Sequence, residues 1–98
     1  MYQPKFYKII DRKKIEEGVR KDGFNPIYIS DPPNFSYKEH AHPEVKLLLF
    51  LEGEMKITID GESFLCSPGD RIIIPGDTSH SAVTGKDGCS FFWAEKLS

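Results

Sequence analysis

"EHAHPEVKLLLFLEG", residues 39–53, sets two histidines one residue apart ahead of a leucine-rich run that carries a single lysine, Lys46. In an extended strand, residues i and i+2 share a face, so His40 and His42 present two imidazoles side by side. Two neutral imidazoles can share one metal ion at about 2.0–2.1 Å, but alone they leave most of the ion to water. The same spacing also describes a solvated pair with no role, and spacing does not choose between the two. The chain has 3 histidines, so a third ligand can only be His80, which follows the turn-forming stretch "PGDTS" (75–79). Beyond the pair, Lys46, Leu48 and Phe50 have one parity, and Leu47, Leu49 and Leu51 the other. If Lys46 faces the interior, Leu48 and Phe50 go with it. The second leucine row then faces outward, where an apolar row commonly meets a partner. A homodimer is the expectation from this row.

Downstream the pattern stays β. "EMKITID" (54–60) alternates apolar and polar side chains, and "DG" (60–61) is a strong hairpin signal. "ESFLCS" (62–67) pairs back, "PGD" (68–70) turns the chain, and "RIIIP" (71–75) is a short continuous apolar strand. "HSAVTG" (80–85) and "CSFFWAEKL" (89–97) supply two more. Upstream, "KFYKII" (5–10) reads as a short strand and "PIYIS" (26–30) as another. Between them, "DRKKIEEGVRKDG" (11–23) reads as a short helix with Asp11 as N-cap and Gly23 as stop. "DPPN" (31–34) breaks the chain before "FSYKEHAH" (35–42), which can be extended. Many short strands separated by turns point to an antiparallel sandwich or barrel. The fold class is all-β, with at most one short helix near the N-terminus.

The bulk properties narrow the function. A chain of 98 residues is expected to form one domain, residues 1–98, with its core barrel over about 26–95. Hydrophobic residues make up 39% and charged residues 29%, an ordinary globular balance. The net charge is -2 and no basic stripe occurs, which argues against a nucleic-acid partner. The longest apolar run, 47–51, is far too short for a membrane span. The opening stretch "MYQPKFYKIIDRKK" has no apolar signal-peptide core, so a cytoplasmic location is expected. Cys66 and Cys89 read as free thiols packed as small hydrophobes, since no CxxC occurs.

Residues 34–84 resemble the cupin superfamily, small antiparallel β-barrels of jelly-roll type. That family's first motif runs G-x5-H-x-H-x3/4-E-x6-G, and its second runs G-x5-P-x-G-x2-H-x3-N. His40, His42 and Gly53 stand in the first register, and Gly69, Pro75 and His80 in the second. The departures are Asn34 and Asp77 at glycine positions, Thr84 at the closing asparagine, and Lys46 at the glutamate. Asn and Asp tolerate the positive φ of turns, and the closing position is expected to be structural.

The resemblance implies that His40, His42 and His80 hold a divalent transition metal, namely Fe, Mn, Ni, Cu or Zn, without the family's carboxylate. Lys46 has no lone pair to offer when protonated. At 4 Å and an effective dielectric near 20, its charge and a divalent ion would oppose each other by roughly 8 kcal/mol. Lys46 is therefore read in one of several ways: neutral, through burial and the ion; holding an anionic ligand or substrate that also touches the metal; a plain anion hook in a metal-free barrel; or a cation bent away to pair with a surface acid. Glu44 shares the Lys46 face in a regular strand. It is an ion-pair partner for Lys46 or a rim residue, with replacement metal ligand as the alternative. Tyr37, three residues before His40, is expected on the opposite face. Asp70 and Arg71 are expected as rim charges or an ion pair. Phe91, Phe92 and Trp93 are expected in the core, with one able to line the pocket.

Two functions follow from the resemblance. One is a small metal-dependent enzyme acting on an anionic or polar organic molecule, similar in its ligand set to three-histidine thiol dioxygenases. The other is a small-ligand-binding or sensing module without turnover, with or without a metal, with Lys46 as the anion hook.

Overall fold

The computed structural model describes residues 1–96. The sheet is built around two long antiparallel strands, β4 (Lys46–Ile59) and β7 (His80–Lys96), paired along their whole length. Each carries short antiparallel partners on its other side. β6 (Arg71–Ile74) pairs with the first part of β4, and β5 (Glu62–Cys66) with its last part. β3 (Ser36–His40) pairs with the first part of β7, and β2 (Phe24–Asp31) with its last part. A two-residue β1 (Tyr2–Gln3) extends the sheet beyond β6. This is the all-β antiparallel architecture that the turn spacing predicts.

In sequence the leucine-rich run and residues 54–60 read as separate strands, as do residues 80–85 and 89–97. In the structure β4 and β7 each run on through a bend. Gly53 has φ +73° and Gly88 has φ +77°. A Cβ on Gly53 would lie 2.1 Å from the Gly88 carbonyl oxygen. The β7 backbone can approach this closely only because Gly53 carries no side chain, while a Cβ on Gly88 would lie 2.5 Å from the Asp31 carbonyl oxygen. The register shifts at the same place, between Gly53 and Met55. The bend lets one strand serve both ends of the sheet. The β4–β5 hairpin turns at Asp60 and Gly61, with φ of 48° and 82°, as the Asp-Gly pair predicts.

The helix α1 (Arg12–Lys21) forms as expected. The Asp11 side chain accepts a hydrogen bond from the Lys14 amide at 3.1 Å, and Gly23 follows with φ 89°. Ile15 and Val19, four residues apart on one face, are its buried residues. They cover Leu47, Leu49 and Leu51, which are 2%, 0% and 6% exposed. The second leucine row does face away from the inner core, but this chain's own helix roofs it, which corrects the expectation that it meets a partner. The first row does face inward. Leu48 and Phe50 join Met55, Ile57, Ile72, Ile74 and Phe91 in the inner core.

The strand expected over residues 5–10 does not form. Asp70, 3% exposed, holds the arm in a turn instead. Its carboxylate accepts hydrogen bonds from the Tyr2 hydroxyl and from the amides of Lys5 and Ser67, each at 2.8 Å. With every oxygen of Asp70 engaged inside the chain, the rim-charge reading fails. Arg71 does not pair with it either, but bonds Gln3 and lies over the Phe6 ring at 3.7 Å.

Candidate metal centre

His40 closes β3 and His80 opens β7, and their Cα atoms are register partners. Antiparallel pairing therefore sets two histidines from distant segments face to face. His42 lies past the end of β3, where a turn holds it. The Asp77 amide donates to the His42 carbonyl at 2.7 Å, with Asp77 itself at φ 55°. A Cβ on the neighbouring Gly76 would lie 2.2 Å from the Pro43 carbonyl oxygen. So the left-handed aspartate and the adjacent glycine let the 75–78 turn seat against the histidine segment. Asn34 also adopts φ 55°, as its place in the pattern predicts. Thr84 ties the same end together: its hydroxyl donates to the Pro32 carbonyl and accepts from the Phe35 amide, both at 2.7 Å.

The three rings converge. One nitrogen from each of His40, His42 and His80 lies within 4.8 Å of the others. Ring centroids are 5.2 Å apart for His40–His42, 4.4 Å for His40–His80 and 4.7 Å for His42–His80. The His40 Nδ1–H donates to the Lys38 carbonyl at 2.6 Å, and the His80 Nδ1–H to the Thr78 carbonyl at 2.9 Å. Each of these bonds fixes a tautomer with a lone pair on Nε2. The His80 Nε2 and both His42 ring nitrogens are buried without a hydrogen-bond partner. Burial pushes the His80 imidazole below its ordinary pKa. The Thr78 carbonyl opposes this, while His40, His42 and Lys46 add to it by repulsion. The neutral ring is the form that binds metal. Converging imidazoles with unused nitrogens suit a divalent transition metal.

Beneath the rings lies an apolar cavity of about 20 Å³, roughly the room of one water. Leu48, Met55, Ile57, Ile74, Phe91 and Trp93 line it together with His40 and His80. Tyr37 lines it too, against the expectation of the opposite face. The β3–β7 register shifts between Tyr37 and His40, and that bulge cancels the parity count. The Tyr37 hydroxyl donates to Asp31, and burial first, then Asp31, raises its pKa. Of the aromatic trio, Phe92 packs in the outer core and Phe91 in the inner one. Trp93 stands at the site, its ring 5.9 Å from that of His42.

Lys46 is 5% exposed and bends to acids of its own chain. Its Nζ lies 2.9 Å from Glu95 Oε2 and 3.9 Å from Glu44 Oε1, and 5.3 Å from the centre of the Trp93 ring. Glu44 is thus an ion-pair neighbour of Lys46 and is not part of the cluster of ligand nitrogens. Its other oxygen, Oε2, is buried without a partner. Glu95 is the residue that sequence reasoning missed. Its register partner across β4–β7 is Lys46, 49 residues away, and no local pattern carries that pairing. Cys66 and Cys89 lie apart from the histidines in the inner core as free thiols, each pushed up to about 12 chiefly by burial.

The family model for the AraC-like ligand binding domain matches residues 27–95. Dimethylsulfoniopropionate lyase DddW of Ruegeria pomeroyi is 36% identical over 59 residues, covering 60% of this chain and 39% of that protein. Quercetin 2,3-dioxygenase of Bacillus subtilis is 33% identical over 61 residues, covering 61% of this chain and 18% of that one. The chain thus spans well under half the length of either relative. Among solved structures, the cupin domain of Cnp3 from Schizosaccharomyces pombe matches with a TM-score of 0.70 at 14% identity. The match covers 78% of this chain and 57% of that one, and is a likeness of fold.

Proposed function

The chain belongs to the AraC-like ligand binding domain family, with a cupin-type barrel, and from that premise we propose that it holds a divalent metal through His40, His42 and His80 and uses it on a small polar or anionic organic molecule. The observation that carries this reading is the convergence of three imidazoles whose buried nitrogens have no other partner. A buried polar atom left unpaired is unfavourable by about 1–3 kcal/mol, and one ion would relieve several at once. Bound there, a transition ion supplies Lewis-acid polarisation or activation of a small molecule. The chain's own groups do the rest. The Lys38 and Thr78 carbonyls aim the rings, and the apolar wall formed by Leu48, Phe91 and Trp93 excludes water from one side of the centre. His40 is exposed, so a ligand would approach from the mouth rather than through the small cavity.

A small-ligand-binding module without turnover is the second reading, favoured by the family model itself, which describes ligand binding. In either reading the partner is a small molecule, and neither a nucleic acid nor a membrane is required. No helix among the described residues is long and apolar enough to cross a membrane.

Elemental analysis of the purified protein tests the metal. Stoichiometric metal in the wild type, lost in His80→Ala, is the expected result. A wild type without metal beside a Lys46→Glu variant with it would show that Lys46 has turned the pocket to metal-free binding. Turnover of a candidate small molecule by the loaded protein separates an enzyme from a sensor.

A further inference from the structure

We propose that Glu95 is a positioning residue for the metal centre: it draws the Lys46 ammonium sideways out of the metal's field and balances its charge, which lets a three-histidine site coexist with a buried cation. The inference rests on the metal reading above and concerns residues that reading leaves unexplained.

The geometry carries it. Lys46 stands on the inward face of β4, with Leu48 and Phe50, and is almost wholly buried. Left unpaired there, its charge would stand close to the ion, since the Trp93 ring is near both Lys46 Nζ and the His42 ring. Glu95 on β7 is the direct register partner of Lys46 on β4, so the two side chains share a face. Its Oε2 takes the ammonium at 2.9 Å, inside charge-assisted hydrogen-bond range, whereas Glu44 stands off at 3.9 Å. The pair is then close to neutral as seen from the histidines. Lys46 in turn engages Glu95, so the carboxylate is held against the ammonium. The two residues act as one unit, and either alone would change the charge at the centre by a full unit.

That reciprocity gives a test with opposite signs. Zinc affinity is measured by chelator competition and calorimetry on wild type, Glu95→Gln, Lys46→Met and the double variant, with each fold checked by circular dichroism. Removing the Glu95 charge exposes the ion to Lys46, so affinity falls about tenfold or more, the scale of one poorly screened unit charge several ångströms away. Lys46→Met removes the cation and binds zinc more tightly than wild type. The double variant returns to within about threefold of wild type, because the two charges cancel. A merely structural role for Glu95 would weaken all three variants, and that pattern overturns the proposal. So does a Glu95→Gln affinity equal to wild type. If Glu95→Gln does not fold, Lys46→Met still decides: tighter binding supports the pair and weaker binding overturns it. A wild type that binds no zinc, iron, manganese, nickel or copper sinks the metal reading and this inference with it. Zinc binding that is indifferent to both charges sinks this inference alone.

Discussion

A histidine nitrogen buried without a partner is a strong local statement, and His42 and His80 make it three times within one cluster. The thiols make the opposite statement. Cys66 and Cys89 are fully packed, and burial raises each to about 12. At pH 8 native protein should therefore resist a thiol-specific disulfide reagent, and both thiols should react within seconds once the chain is unfolded in guanidinium. The same shift has a sign for stability. An unfolded thiol ionises from its ordinary value of 9.0, but the folded one holds its proton to about 12. The thiols' share of stability is thus fully present below pH 9 and drains away as pH climbs toward about 12. Urea midpoints at pH 8 and pH 10.5 should show this fall, and it should shrink in a Cys66→Ala/Cys89→Ala variant. The histidine pair and the free thiols were legible from residue identity and spacing. Glu95 was not, because nothing within several residues of it marks a lysine on another strand.

Elements were legible where local chemistry decides them. The Asp11 cap, the Asp60-Gly61 hairpin, and the positive φ of Asn34 and Asp77 all follow from what those side chains allow at their own positions. Elements failed where a distant contact decides. The 5–10 strand has no partner because Asp70 turns the arm, and Tyr37 changes face at a bulge. Two glycines separate the local rule from the tertiary one. Gly18, inside α1, has nothing within 4 Å of a built Cβ, so Gly18→Ala should stabilise the protein by about 0.5–1 kcal/mol through helix propensity. Gly53 combines a positive φ with a backbone carbonyl at 2.1 Å from that position. Gly53→Ala should destabilise by about 2 kcal/mol or more and loosen the β4–β7 pairing. Chemical denaturation of the two variants beside wild type measures both signs at once.

At the scale of the whole molecule, two apolar layers share one sheet. The inner face packs on itself below the histidines, and the outer leucine row packs under α1. Leu49, at 0% exposure, is the centre of that outer layer. Leu49→Ala should lower unfolding free energy by about 2–5 kcal/mol, as buried leucine truncations do. If the row instead served a second subunit, the midpoint would rise with protein concentration, and light scattering after gel filtration would return twice 11.2 kDa. The roofing helix takes the leucine row out of that argument, and the concentration dependence of the midpoint decides the oligomeric state.

The sequence by itself determined what is local: the histidine spacing, the turns, the capped helix, and the alternation that sends Leu48 and Phe50 to one face and Leu47 and Leu49 to the other. Periodicity reports which side a residue takes. It does not report what lies on that side, so only the tertiary structure decided that a helix covers the leucines. It alone brought His80 against His40, and closed Glu95 over Lys46. Those pairings depend on the register between strands far apart in the chain, which no short stretch encodes.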